Sequence, residues 1–175
     1  MATITDTDKH VVFVARAASN DETRYFMSGV HIEDDLGMRK IIATDGQRLH
    51  VDAYFGDLKP HESCYRVLRS SAKKADYESI PIEGLFPKWQ RVVPDNFLPE
   101  SITLEFPANK KKESGKYSCE VCKLIRALPD GHDIDLAYVD DLAGYKWEVQ
   151  FSAKGVAMFV SGAKMAVIAL MKQPE

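Results

Sequence analysis

Apolar positions recur along this chain at two spacings, and the changes of spacing mark its elements. Val11, Val14, Ala15 and Ala18 share one face at helical intervals, Lys9 and Arg16 fall on another, and Thr5-Asp6-Thr7-Asp8 offers N-cap side chains ahead of them. A helix over about 9–20 is predicted. Strands follow at about 24–33 and 38–54, with Glu33-Asp34-Asp35-Leu36-Gly37 turning the chain between them. Within the second stretch Ile41-Ile42-Ala43-Thr44 meets Asp45-Gly46, after which Arg48 and His50 oppose Leu49 and Val51. Asp-Gly between two strand-like runs predicts a hairpin, because Gly accepts the positive φ such turns demand. Gly56-Asp57-Leu58-Lys59-Pro60 breaks the pattern, Ser63–Leu68 reads as a further strand, and Ser70–Tyr77 as one or two helical turns at most.

Beyond residue 84 the sequence is rewritten in the same elements. Ser101–Phe106 alternates as a strand, and Pro107–Gly115 is a basic loop. Residues 116–128 predict an amphipathic helix with Val121, Leu124, Ile125 and Leu128 inward and Lys116, Lys123 and Arg126 on another face. Pro129-Asp130-Gly131 ends it, and strands are expected at about 133–140, 144–153 and 155–171, the last broken near Ser161-Gly162. The order is helix and strands, connector, strand, helix and strands. That is an α+β organisation of two αβ units.

Composition narrows the function classes. With 175 residues, 45% of them hydrophobic, the chain can build one good core or two small ones sharing an interface. Its net charge of −3, from 23 basic and 26 acidic residues, argues against coating nucleic acid through overall charge but leaves room for one basic face. The polar start lacks a signal peptide and no apolar run reaches the ~20 residues of a membrane span. Three cysteines suit a reducing compartment, so a cytoplasmic protein without membrane association is expected.

Catalytic chemistry finds little support. Cys119-Glu120-Val121-Cys122, with His132 or Cys64, could hold zinc, but structural zinc usually takes a second close pair, and packing of two small helical residues is the simpler account. Asp34-Asp35 and Asp140-Asp141 could bind a hard cation, although paired acids at strand ends are ordinarily turn residues. His61 with Cys64 lacks an orienting third group for a thiol nucleophile. No Gly-rich phosphate loop, nucleophile elbow or metalloprotease helix occurs. No enzyme activity, cofactor or metal is expected.

Four stretches carry a family resemblance. They are Thr23-Arg24-Tyr25-Phe26-Met27-Ser28-Gly29-Val30, the Ile41–Val51 hairpin, Gly84-Leu85-Phe86-Pro87-Lys88-Trp89-Gln90-Arg91-Val92-Val93-Pro94, and Met165–Lys172. In this order they resemble the bacterial sliding clamp, the beta subunit of DNA polymerase III, with an Arg-Tyr strand, an Ala-Thr-Asp-Gly turn, a Phe-Pro connector and a Met-containing last strand. Departures are Asp21 for a Gln near the Arg-Tyr pair, Gln47 for the His of the turn, and Ala169-Leu170 for Met-Pro. A complete second half-domain of the family is missing ahead of the connector.

The resemblance implies a single DNA-clamp-like domain over 1–175, with a first αβ unit at 1–83, a connector at 84–99 and a second unit at 100–175. Antiparallel sheets would carry two helices on one face. It implies a processivity factor of DNA replication that binds duplex DNA through Lys9, Arg16, Arg24, Tyr25, Lys116, Lys123 and Arg126, contacting phosphates without reading sequence. It further implies a cleft for clamp-binding peptides of DNA polymerase or repair proteins, formed by Met27, Thr44, Gly46, Arg48, Leu49, Pro87, Arg91, Val92, Val167, Ala169 and Met171. Flexible Met and aliphatic side chains rimmed by Arg suit short amphipathic peptides. A one-domain chain would need about six copies to close a ring, so a homo-oligomer is expected. The alternative is a protein-interaction module, a decoy, adaptor or regulator, that forms no ring and does not bind DNA; a metal-dependent enzyme on a clamp-like scaffold is a third reading.

Overall fold

Val11 to Ala15 are five consecutive apolar residues, and all five are buried. In the computed structural model, which describes residues 3–6, 9–35, 38–55, 63–71, 73–82 and 85–173, they form helix α1 (Lys9–Ala15) after strand β1 (Thr3–Asp6). A helix rich in β-branched valines and apolar nearly all round is held by tertiary packing rather than by propensity. It therefore stops at Ala15, short of the predicted Asn20, and Val12 and Phe13 join the expected inward residues.

The chain then departs from the predicted strand at residue 24. Asp21 Oδ1 accepts from the Thr23 N–H at 2.9 Å and caps a 3₁₀ segment, Glu22–Met27, so strand β2 (Gly29–Asp35) begins later. β3 (Met38–Thr44) and β4 (Arg48–Phe55) form the expected hairpin, with Gly46 at φ +92°. Of the expected acidic turn, Asp34 and Asp35 still belong to β2, whereas Leu36 and Gly37 lie outside the described residues, as do Gly56–Pro60 and His61.

β5 (Ser63–Ser70) agrees with expectation, but the helical turns expected at 70–77 are instead a tight turn and strand β6 (Ala75–Pro81). Ser71 Oγ accepts the N–H groups of Lys73 and Lys74, and the Lys74 carbonyl closes back on Ser71 N. Ala75 and Tyr77 are buried, and Asp76 between them is held by Thr5 Oγ1, which donates to its Oδ1 at 2.7 Å from the paired strand β1. Residues 1–89 form one compact unit and 90–175 another. The sheet of the first unit runs β1-β6-β5-β2-β3-β4, antiparallel throughout, with α1 packed on β3 and β4.

The second unit contains β7 (Ser101–Glu105), helix α2 (Ser114–Ala127), the two-residue β8 (His132–Asp133), helix α3 (Leu136–Asp140), β9 (Lys146–Ser152), β10 (Val156–Ser161), β11 (Lys164–Ala169) and β12 (Met171–Lys172). Its main sheet is antiparallel, β7-β9-β10-β11, and β8 pairs with β12. The strand expected at 133–140 is mostly helix because Asp135 Oδ1 caps the Ala137 N–H at 2.8 Å. Ile125, expected inward on α2, is exposed, while Glu120 takes an inward place by accepting the Glu105 N–H of β7 at 2.9 Å. Trp147, Phe159, Leu104 and Leu124 lie at the centre of this core, with Trp147 Nε1 donating to the Leu142 carbonyl.

Candidate nucleic-acid and peptide interfaces

The β3–β4 turn of the first unit is built from one carboxylate and one hydroxyl. Asp45 Oδ1 accepts the N–H groups of Gln47 and Arg48, and Asp45 Oδ2 accepts Arg48 Nε at 3.1 Å. Thr44 Oγ1 donates to the Arg48 carbonyl and accepts the Gly46 N–H. Arg48 reaches further, donating from Nη2 to the Arg16 carbonyl at 2.7 Å just beyond the end of α1. The guanidinium therefore ties turn to helix, and its side chain is only 13% exposed.

The 3₁₀ segment lies against the same turn. A Cβ added at Gly46 would stand 3.2 Å from Arg24 Nη1 and 3.9 Å from the Met27 methyl, so Arg24 and Met27 flank the glycine. Thr44, Gly46 and Arg48 are thus brought together with Met27 as the sequence suggested, and Arg24, expected on the DNA side, joins them. Leu49, by contrast, is 1% exposed and packs in the core of its unit. Pro87 is half-buried in a connector fastened to β2, where Phe86 stacks on His31 at 4.7 Å and Trp89 Nε1 donates to Glu33 Oε1 at 3.0 Å.

Behind the hairpin stands His50, fully buried, with its ring parallel to Phe13 at 4.5 Å and Nδ1 3.0 Å from the Phe13 carbonyl. Burial pushes its pKa down to about 3, outweighing the carbonyl, while Arg48 and Arg16 add to the depression. The imidazole is neutral, Nδ1–H donates, and among the described residues Nε2 has no hydrogen-bond partner. His10 Nδ1 lies 2.8 Å from Asp52 Oδ2, a contact from α1 to β4.

In the second unit the residues assigned to the peptide cleft divide. Val167 is core, Ala169 is half-buried, and Arg91, Val92 and Met171 are exposed, the last two by 53% and 49%. The assigned DNA residues divide too. Lys116 Nζ binds Glu105 Oε1 at 2.7 Å and Lys123 Nζ binds Glu120 Oε1 at 2.6 Å, which raises both ammonium pKa values and lowers that of Glu105. Burial pushes Glu120 up, but Lys123 and the Glu105 N–H outweigh it and leave it low. Arg126 lines an open cleft of about 400 Å³ with Leu98, Glu100, Leu128, Asp130 and Phe151. In the first unit Lys9 and Tyr25 are exposed, Arg16 is half-buried, and Arg24 pairs with Asp21 at 3.6 Å.

Asp45 was expected only as half of the Asp-Gly turn; that its carboxylate also holds Arg48 was not expected, and its spacing three residues before Arg48 was the available signal. The catalytic alternatives gain no geometry. Among the described residues no three His, Cys, Asp or Glu side chains gather as a metal site. Cys64 is buried with its thiol pushed up to about 12, whereas Cys119 and Cys122 are exposed on α2, and all three are free.

The α+β units and their antiparallel sheets define a clamp-like protein. The particular clamp it resembles is the bacterial DNA polymerase III beta subunit. The beta sliding clamp of Treponema pallidum (strain Nichols) is 28% identical over 114 residues, covering 50% of this chain and 30% of that protein. The DNA polymerase III beta chain of Streptococcus pneumoniae TIGR4 superposes with a TM-score of 0.65 at 16% identity, covering 99% of this chain and 65% of its own. The beta subunit of Thermotoga maritima gives 0.66 at 12% identity, covering 99% and 66%. No protein-family profile matches the chain. The chain therefore spans less than a third of its curated relative and about two thirds of these solved chains. At such identities the solved structures establish the fold. No helix of the described residues is long and apolar enough to cross a membrane.

Proposed function

We propose that the chain is a sliding-clamp-like accessory protein of DNA replication, acting in the cytoplasm without catalysis, as one clamp-like domain of two units. It binds duplex DNA through phosphate contacts from Lys9, Arg16, Arg24, Tyr25, Lys116, Lys123 and Arg126. It takes hydrophobic-anchor peptides of polymerases or repair proteins on the surface around Thr44, Gly46, Arg48 and Met27. Pro87, and Arg91, Val92, Ala169 and Met171 of the second unit, form a separate set to be tested for the same ligand. The observation that carries the reading is the turn fixed by Asp45 and Thr44 with Arg24 and Met27 beside Gly46. Such a surface is ordered before a ligand arrives, which lowers the cost of binding.

A second reading, an interaction module that forms no ring and does not bind DNA, draws on Lys116 and Lys123 being neutralised by Glu105 and Glu120. The deciding experiment measures binding of the full chain to circular duplex DNA and to a pentapeptide with a hydrophobic anchor residue across a salt series, beside its sedimentation velocity. The clamp reading expects a steep fall of DNA affinity with salt and a discrete oligomer near the size of a ring. DNA binding absent at low salt from a monomer that still binds peptide establishes the module instead. Loss of peptide binding in Arg48→Ala, shown folded, is expected under either reading, and retention removes this surface from consideration; Met171→Asp tests the second-unit residues by themselves.

A further inference from the structure

We propose that Cys119 and Cys122 form a two-thiolate site for a soft monovalent cation of the Cu(I) class on the exposed face of α2. Both thiols are free and exposed, and their spacing of three residues in a fourteen-residue helix places them one turn apart on the same side. The third cysteine is excluded from this chemistry by burial.

Geometry favours an inserted ion over a direct bond between the sulfurs. Helical residues three apart hold their Cβ atoms about 5–6 Å apart, whereas a disulfide brings them to about 3.5–4.5 Å. A disulfide would therefore bend the helix. A metal–sulfur bond of about 2.3 Å on each side lets the sulfurs stand up to roughly 4.6 Å apart, which undistorted helical backbone permits. The number of donors selects the ion. Among the described residues no third His, Cys, Asp or Glu gathers with the pair, so the four-ligand shell of structural zinc is not assembled, while paired thiolates suit Cu(I).

Charge points the same way. Binding forms two copper–sulfur bonds, releases one proton from each thiol to solvent, and leaves copper in the oxidation state in which it entered. Two thiolates and one Cu(I) sum to a single negative charge. Lys123 stands four residues after Cys119, and Arg126 four after Cys122, on the neighbouring turn.

The test titrates the reduced full chain, without oxygen, with Cu(I) held by the chromogenic chelator bicinchoninate. Expected is withdrawal of one Cu(I) per chain from the chelator. Cys119→Ser and Cys122→Ser, shown folded by circular dichroism, should each weaken binding more than about 100-fold, exceeding the loss usual for an outer-shell change. Unchanged affinity in either serine variant overturns the proposal, as does failure of the folded, fully reduced chain to withdraw copper. Tight zinc binding by the same pair would overturn the donor-number argument.

Discussion

The β3–β4 turn and helix α2 are both rich in charged and polar side chains, yet they use them in opposite ways. At the turn, Asp45 and Thr44 spend their hydrogen bonds on the chain's own backbone, and Arg48 is consumed in joining the turn to the Arg16 carbonyl. On α2, Lys116 and Lys123 make surface ion pairs and stand in solvent. The first arrangement fixes a shape. The second adds little to the fold, because exposed pairs contribute little to stability and are screened by salt. Substitutions at the turn should therefore be read in folding and in ligand fit, and those on α2 in salt dependence.

The largest expected effect lies in the seam that supports the turn's unit. A Cβ at Gly29 would come within 2.6 Å of the Tyr65 carbonyl oxygen, 2.8 Å of Cys64 Sγ and 2.8 Å of Ile82 Cδ1. The carbonyl belongs to the paired strand and cannot swing away. Gly29→Ala should cost about 3 kcal/mol, the upper range of overpacking, in urea denaturation. A variant as stable as the parent would show that β2 and β5 are less closely joined than described.

Acidification should separate the units next. His50 is neutral when folded because its pKa is pushed down to about 3, whereas the unfolded residue takes its proton near 6.5. The unfolded state thus binds more protons between these values, and stability falls as pH drops through that window, by about 1.4 kcal/mol per unit. Above 6.5 the group contributes no slope. In Trp147→Phe the remaining Trp89 reports the first unit, and its urea midpoint should decline below pH 6.5; replacing His50 with Gln should flatten that decline.

Asp45→Ala removes the acceptor of three hydrogen bonds at once and should cost about 1–2 kcal/mol, with a greater loss of peptide affinity than of stability if the turn is the recognition surface. On α2 the matching change is Lys123→Gln, which frees Glu120 of its partner. Its expected signature is a shallower dependence of DNA affinity on salt, by about one unit of slope, with the melting temperature little moved.

What was legible in the sequence follows the same division between local and distant causes. The hairpin could be read because Asp45-Gly46 and the alternation of Arg48-Leu49-His50-Val51 are local signals, and α2 because its apolar residues keep helical spacing. The clamp resemblance rested on four stretches, the hairpin among them, and the fold agrees with it. Other segments were misread where one side chain chose the structure: Asp21 turned a predicted strand into a 3₁₀ segment, Asp135 turned another into α3, and Ser71 made a turn where helix was expected. Tertiary packing was equally hidden. Nothing in the spacing of Leu49 or Val167 distinguishes a cleft wall from core, and nothing in the sequence shows that Glu105 stands opposite Lys116, whereas Glu120 and Lys123 are helical neighbours by spacing.

The smallest effect sharpens the comparison from the other side. Gly115, in the first turn of α2, has nothing within 4 Å of where a Cβ would stand, in contrast to Gly29. Its φ is not among the positive ones, so alanine fits the backbone without strain. Gly115→Ala should stabilise the protein by about 0.5 kcal/mol, mainly by reducing the freedom of the unfolded chain, and leave DNA and peptide binding unchanged. Because the same replacement is expected to destabilise at Gly29, the pair isolates contact from composition. Equal signs at both positions would mean that glycine's effect on the unfolded chain, rather than the closeness of β2 to β5, governs stability in this protein.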